Sequence, residues 1–171
     1  MTSQRILFTG GLLLFLLSIG YGLFHDSILL PARHQALHYN LDMALNMAAK
    51  GDITMASAFA SQFGQENGAG EIQARIPLHL ALAGAMTAIP LWLTPRLDIS
   101  ERMKRIMALF LVTGGLVLAA GDFVSVSASP ELGRYLVLGG YAWLGLGLSG
   151  YLLYAGLFVW LHEEERPAKR G

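Results

Sequence analysis

Apolar and polar positions divide this chain into four long uncharged stretches. Residues 6–24, 76–94, 106–121 and 135–161 contain no Asp, Glu, Lys or Arg. A helix rises 1.5 Å per residue, so a hydrocarbon core of about 30 Å needs roughly 20 apolar residues per crossing. The pattern predicts an all-α integral membrane protein, a four-transmembrane-helix bundle forming one membrane domain over 1–171. Its crossings are expected at about 6–24, 75–95, 103–126 and 130–161, with an outer helical cap at about 27–70. The first stretch is too long for a signal-peptide core and no small-x-small site follows Phe24, so it reads as an uncleaved crossing.

The segment between the first two crossings carries its own helix signals. An amphipathic extracytoplasmic segment is expected at about 32–63. Its first helix runs from Ala32 to Ala49 and stops at Lys50-Gly51, with Gly51 as C-cap. Asp52 is placed to cap a second helix whose apolar stripe is Ile53, Ala56, Phe59, Ala60 and Phe63. Gly64–Gly70 (GQENGAG) reads as a flexible turn into the second crossing. Ser129-Pro130 supplies an N-cap and a first-turn proline for the fourth crossing, and Pro90 should kink the second. Small residues at helical spacing mark expected packing faces: Ser18 and Gly22; Ala81, Gly84, Ala85 and Ala88; Ala142, Gly145 and Ser149.

Composition agrees with a membrane class: 54% of residues are hydrophobic and 14% charged, with a mean hydropathy of +0.48. The twelve Lys and Arg balance twelve Asp and Glu, which gives no reason to expect nucleic acid as a partner. The absence of cysteine removes disulfides, thiolate metal sites and a Cys nucleophile. Eight basic residues (Arg5, Arg96, Arg102, Lys104, Arg105, Arg166, Lys169, Arg170) fall on one side of the crossings and four (Arg33, Lys50, Arg75, Arg134) on the other. That bias predicts both termini in the cytoplasm; in a bacterium the membrane is expected to be the inner one, with the cap on the periplasmic face. Trp92 and Trp160 fall where cytoplasmic interfacial indoles belong, and His162 reads as an exposed tail residue.

Four of the five histidines collect toward the outer face: His25, His34, His38 and His79. Counted along the helical rise, His79 lies sixteen residues above Pro95 and Asp122 seventeen above Arg105, about 24 and 25 Å. They share one layer just inside the core, with His25 and Arg75 in the layer above. A carboxylate there needs a partner, either Arg75 or a ring N–H of His79. His34 and His38 are four residues apart and face one way, as paired metal ligands do. However, Gln35 stands where a zinc protease motif has its Glu, so proteolysis is a poor reading. The stripe His34, His38, Asp42, Asn46 and Lys50 also fits a solvated helix face, and both readings stay open.

These features lead to an expected small metal- or haem-binding membrane protein with its site at the outer face. It would be an oxidoreductase or the subunit of one. The expected ligands are His34, His38 and His79, with His25 also near. Asp42, Arg75 and Asp122 would support them, and the cofactor would be copper, iron, zinc or b-type haem. The alternative is a non-catalytic membrane subunit, self-associating or anchoring partner subunits of a larger complex. An ion-coupled pump is disfavoured because the middle of every crossing lacks ionisable residues.

Overall fold

The structure, a computed structural model, describes residues 2–164, with side chains through Leu157. The expectations for the side chains of Trp160 and His162 lie outside that range. All regular elements among the described residues are helical. Helix α1 spans Ser3–Phe24, runs through a π-helical turn at His25–Leu29, and continues as α2, Leu30–Ala49. Helix α3 spans Ile53–Met86 and is followed by α4, Ala88–Leu93, and a 3₁₀ turn at Thr94–Arg96. Helices α5 (Glu101–Ser127) and α6 (Pro130–Glu164) complete the chain. Four continuous helical stretches are long and apolar enough to cross a membrane: Ser3–Ala49, Ile53–Arg96, Glu101–Ser127 and Pro130–Leu157.

Local signals set the ends of these helices. Gly51 has φ +80°, which favours glycine, and it closes α2. Asp52 accepts the Met55 backbone N–H at 3.1 Å, and Ser129 Oγ accepts that of Leu132 at 3.3 Å. Pro90 has no N–H for the Met86 carbonyl, and helix α3 ends at Met86 with a turn at Thr87. Ahead of Pro31, which cannot donate to Ser27, the backbone widens so that Leu30 N–H reaches the His25 carbonyl five residues back.

The segment expected to cap the bundle does not fold back. Residues 64–70 are helical, so α3 runs unbroken from Ile53 and pairs with α2 as a helical hairpin prolonging α1 and α3. With 20 residues, α2 carries this hairpin about 30 Å beyond the π turn. Of the glycines read as a turn, Gly70 serves instead for close approach, while a Cβ on Gly64 or Gly68 would meet nothing within 4 Å. A Cβ on Gly70 would stand 2.7 Å from Arg33 Nη1, so the bare backbone makes room for a guanidinium lying across α3. Tertiary packing here overrides the poor helix propensity of glycine. Tyr39 and Phe59 meet edge to face across the hairpin, with ring centroids 6.3 Å apart.

Packing within the bundle is closest between α5 and α6. Gly133, Gly140 and Gly147 of α6 recur every seven residues and face α5. A Cβ on Gly140 would lie 2.7 Å from Leu118 N, and one on Gly121 of α5 would lie 2.6 Å from Val137 N. This is the contact of small residues that lets membrane helices approach. The expected α6 stripe of Ala142, Gly145 and Ser149 is on the wrong face: all three are exposed, and nothing lies within 4 Å of a Cβ at Gly145. Both stripes satisfy a helical period, and only the partner helix distinguishes them. Gly84 of α3 does pack as expected, against the backbone of Gly11 and Phe15 in α1. Leu7, Leu14, Leu111 and Leu118 fill the centre. At the far end, Tyr151 is fully buried and donates to the Lys104 carbonyl, while Lys104 donates to that of Thr94.

Candidate functional site

His79 sits on α3 two residues after Pro77. The Pro77 carbonyl accepts the Ser18 hydroxyl at 2.7 Å, which ties this turn of α3 to α1. The His79 ring points toward α5 and α6. Its Nδ1 is 2.5 Å from Oδ2 of Asp122 on α5, and its Nε2 is 3.1 Å from the Tyr141 hydroxyl on α6. An ionised carboxylate only accepts, so Nδ1 carries the hydrogen and Nε2 accepts the O–H of Tyr141. The rings of His79 and Tyr141 meet edge to face at 81°. The side chains of His79 and Asp122 are 12% and 7% exposed, so their pairing is shielded from solvent.

The contact between His79 and Asp122 is the one-layer arrangement expected from helical rise. Arg75 is exposed and makes no ion pair among the described residues, so the histidine is the carboxylate's partner. Tyr141 has no place in the sequence-based site. Counting residues down from Pro130 sets its Cα too deep. However, α6 side chains lean toward the helix N-terminus, and the phenol spans the difference. A lone phenol in the glycine-rich run Gly139–Gly147 was the one available signal.

Beside this cluster lies a cavity of about 470 Å³, bounded by α3, α5 and α6. Leu82, Met86, Leu118, Leu144 and Leu148 make its walls apolar, while His79 and Tyr141 contribute the polar side chains. Tyr141 is 52% and Leu82 49% exposed, so the cavity opens sideways on the bundle's outer surface.

The other expected ligands lie elsewhere. His34, His38 and Asp42 are exposed on α2, and His25 is buried in the π turn. His25 and His34 line a separate cavity, away from His79. Among the described residues, no three or more His, Asp or Glu side chains are grouped to hold one metal ion. The set His34, His38 and His79 is therefore not assembled. Helix α2 pairs with α3 in the hairpin, and none of its histidines borders the cavity at His79.

These features define a class: a four-helix apolar bundle with a helical hairpin extension and a carboxylate–imidazole–phenol cluster on a lateral cavity. No protein-family model, curated protein or solved structure matches the chain.

Proposed function

We propose that this is an integral membrane protein that binds the head of a neutral, lipid-soluble molecule at the His79–Asp122–Tyr141 cluster. The ligand class is a hydroxyl- or carbonyl-bearing ring with an apolar tail, as in quinols and quinones. The observation that carries this reading is the lateral cavity, apolar on its walls with an imidazole and a phenol on its boundary. Binding sites for such molecules pair apolar walls with a few placed polar groups. Leu16, Leu23 and Leu153 are among the large side chains left exposed around the helices, the surface expected of a bundle in lipid. With the orientation set by the basic residues, the cavity's polar end faces the outer leaflet.

The chemistry follows from the hydrogen bonds. A ligand hydroxyl takes the place of the Tyr141 hydroxyl on His79 Nε2, and the freed phenol turns to a ligand oxygen. His79 accepts the ligand's proton at Nε2, and the Asp122 carboxylate at Nδ1 stabilises the imidazolium that forms. These residues bind the head and exchange a proton with it. Electron transfer would require a metal, a haem or a partner subunit.

A second reading rests on Asp122. A carboxylate on Nδ1 with Nε2 turned toward a cavity is also how a metal-ligating imidazole is oriented. Copper, iron, zinc or b-type haem would then take His79 as ligand, with Met86 as a thioether on the same cavity and Tyr141 displaced. One set of measurements separates the two. Anaerobic calorimetric titration of the detergent-purified protein with a short-chain quinol, which carries the hydroxyl that Nε2 accepts, should show saturable one-to-one binding. It should weaken up to about ten-fold in His79→Ala, the loss of one good hydrogen bond. Absence of saturation, or equal binding in His79→Ala, refutes the first reading. A visible haem spectrum or stoichiometric metal that disappears in His79→Ala selects the second.

A further inference from the structure

A second site lies where the hairpin leaves the bundle. Arg33, in the first turns of α2, sends its guanidinium between α2 and α3. Nη2 donates to Gln73 Oε1 at 2.7 Å, while Nε and Nη1 are enclosed and have no hydrogen-bond partner. His25 is 6% exposed; its Nδ1 is 2.9 Å from Asp26 Oδ1, and its buried Nε2 has no partner. Both residues line one cavity of about 240 Å³ with Leu37, Gly70 and Ala74. At roughly 30 Å³ per water, that space suits a small group of a few heavy atoms and its substituents.

Enclosed guanidinium N–H groups without a partner are costly, and among the described residues no carboxylate lies within ion-pair distance of Arg33. Glu71 borders the same cavity but is exposed and unpaired with Arg33. Gly70 leaves room for Nη1 against the α3 backbone, where the unpaired Nε and Nη1 are enclosed. A planar fork of N–H donors fits a phosphate-type oxyanion, and the imidazole, with Nδ1–H on Asp26, donates to it from Nε2 in its doubly protonated form. The position fits as well: His25 directly follows the apolar stretch 6–24, the level at which lipid headgroups lie if this stretch crosses a bilayer.

We propose that Arg33 and His25 form an oxyanion site for a phosphate ester group, which locks the base of the hairpin to the bundle. The same chemistry is offered by a phospholipid headgroup and by free phosphate, so the test uses both. Full-length protein, delipidated in neutral detergent, is titrated with phosphatidylglycerol in mixed micelles and separately with inorganic phosphate, against chloride at equal ionic strength. Thermal unfolding is the readout.

A saturable rise in Tm with either probe is expected; a rise with lipid alone identifies the headgroup, and one with phosphate alone a soluble anion. The apparent affinity should fall about ten- to a hundred-fold in Arg33→Gln, the loss of one or two charge-assisted hydrogen bonds. If Arg33→Gln does not fold, Arg33→Lys keeps the charge without the fork and should weaken binding in the same direction. Glu71→Gln should tighten binding by removing a neighbouring negative charge. If Arg33 instead pairs with Glu71, that variant loses stability and gains no affinity, and the proposal fails. It fails equally if neither probe raises Tm, or if the arginine variants respond like the parent protein.

Discussion

Replacing His79 and Asp122 by leucine, singly and together, tests whether the cluster is a coupled unit. Asp122→Leu leaves the shielded Nδ1–H of His79 without an acceptor, and an unsatisfied buried group of this kind costs about 1–3 kcal/mol. His79→Leu leaves a 7%-exposed carboxylate without its donor, and breaking such a pair from one side costs about 3–5 kcal/mol. The double variant removes both polar groups and fills the space with apolar atoms, so it should lie within about 1 kcal/mol of the parent. Together the single losses therefore exceed the double, with a coupling energy of about 3 kcal/mol or more. That corresponds to more than about a hundred-fold change in the folding equilibrium. Reversible unfolding in mixed detergent micelles, followed by far-UV circular dichroism, measures all four corners of the cycle. Additivity within about 0.5 kcal/mol would show that the 2.5 Å contact carries no energy, and the site reading would fall with it.

Other perturbations probe separate parts of the molecule. Gly140→Ala drives a Cβ to 2.7 Å from the Leu118 backbone and should cost about 1–3 kcal/mol as α5 and α6 separate. The neighbouring Gly139→Ala meets nothing within 4 Å and should be neutral, or stabilising by up to about 1 kcal/mol; equal effects at the two positions would contradict the seam. Gly51→Ala forces a side chain into φ +80° and should lower stability by about 1 kcal/mol, read in the same unfolding experiment. Tyr141→Phe removes the hydrogen bond to Nε2 at a half-exposed position. Stability should change by less than about 1 kcal/mol while quinol affinity falls; unchanged affinity would remove Tyr141 from the site.

Much of the secondary structure was legible from local signals. Gly51, Asp52 and Ser129 each cap or close a helix through interactions with residues a few positions away, and such contacts leave a signature in the chain. The pairing of His79 with Asp122 was also within reach, because a carboxylate in an apolar layer demands a donor and helical rise fixes depth. Residues 64–70 were not. Three glycines in seven residues favour a turn, yet the segment is helical within the α2–α3 hairpin, with Gly70 against Arg33.

Hydropathy and helical period thus determine, by themselves, that this chain makes four long apolar helices, where most of them begin and end, and which polar side chains share a level. Tertiary structure decided how each helix is rotated about its axis and what it meets. It selected Gly133, Gly140 and Gly147 over the equally periodic Ala142, Gly145 and Ser149. It made the expected outer cap a helical hairpin, brought Tyr141 to His79, and set Arg33 across Gly70. The reason is physical: depth and helix length are additive along one chain segment, whereas rotation and pairing minimise the energy of two surfaces together.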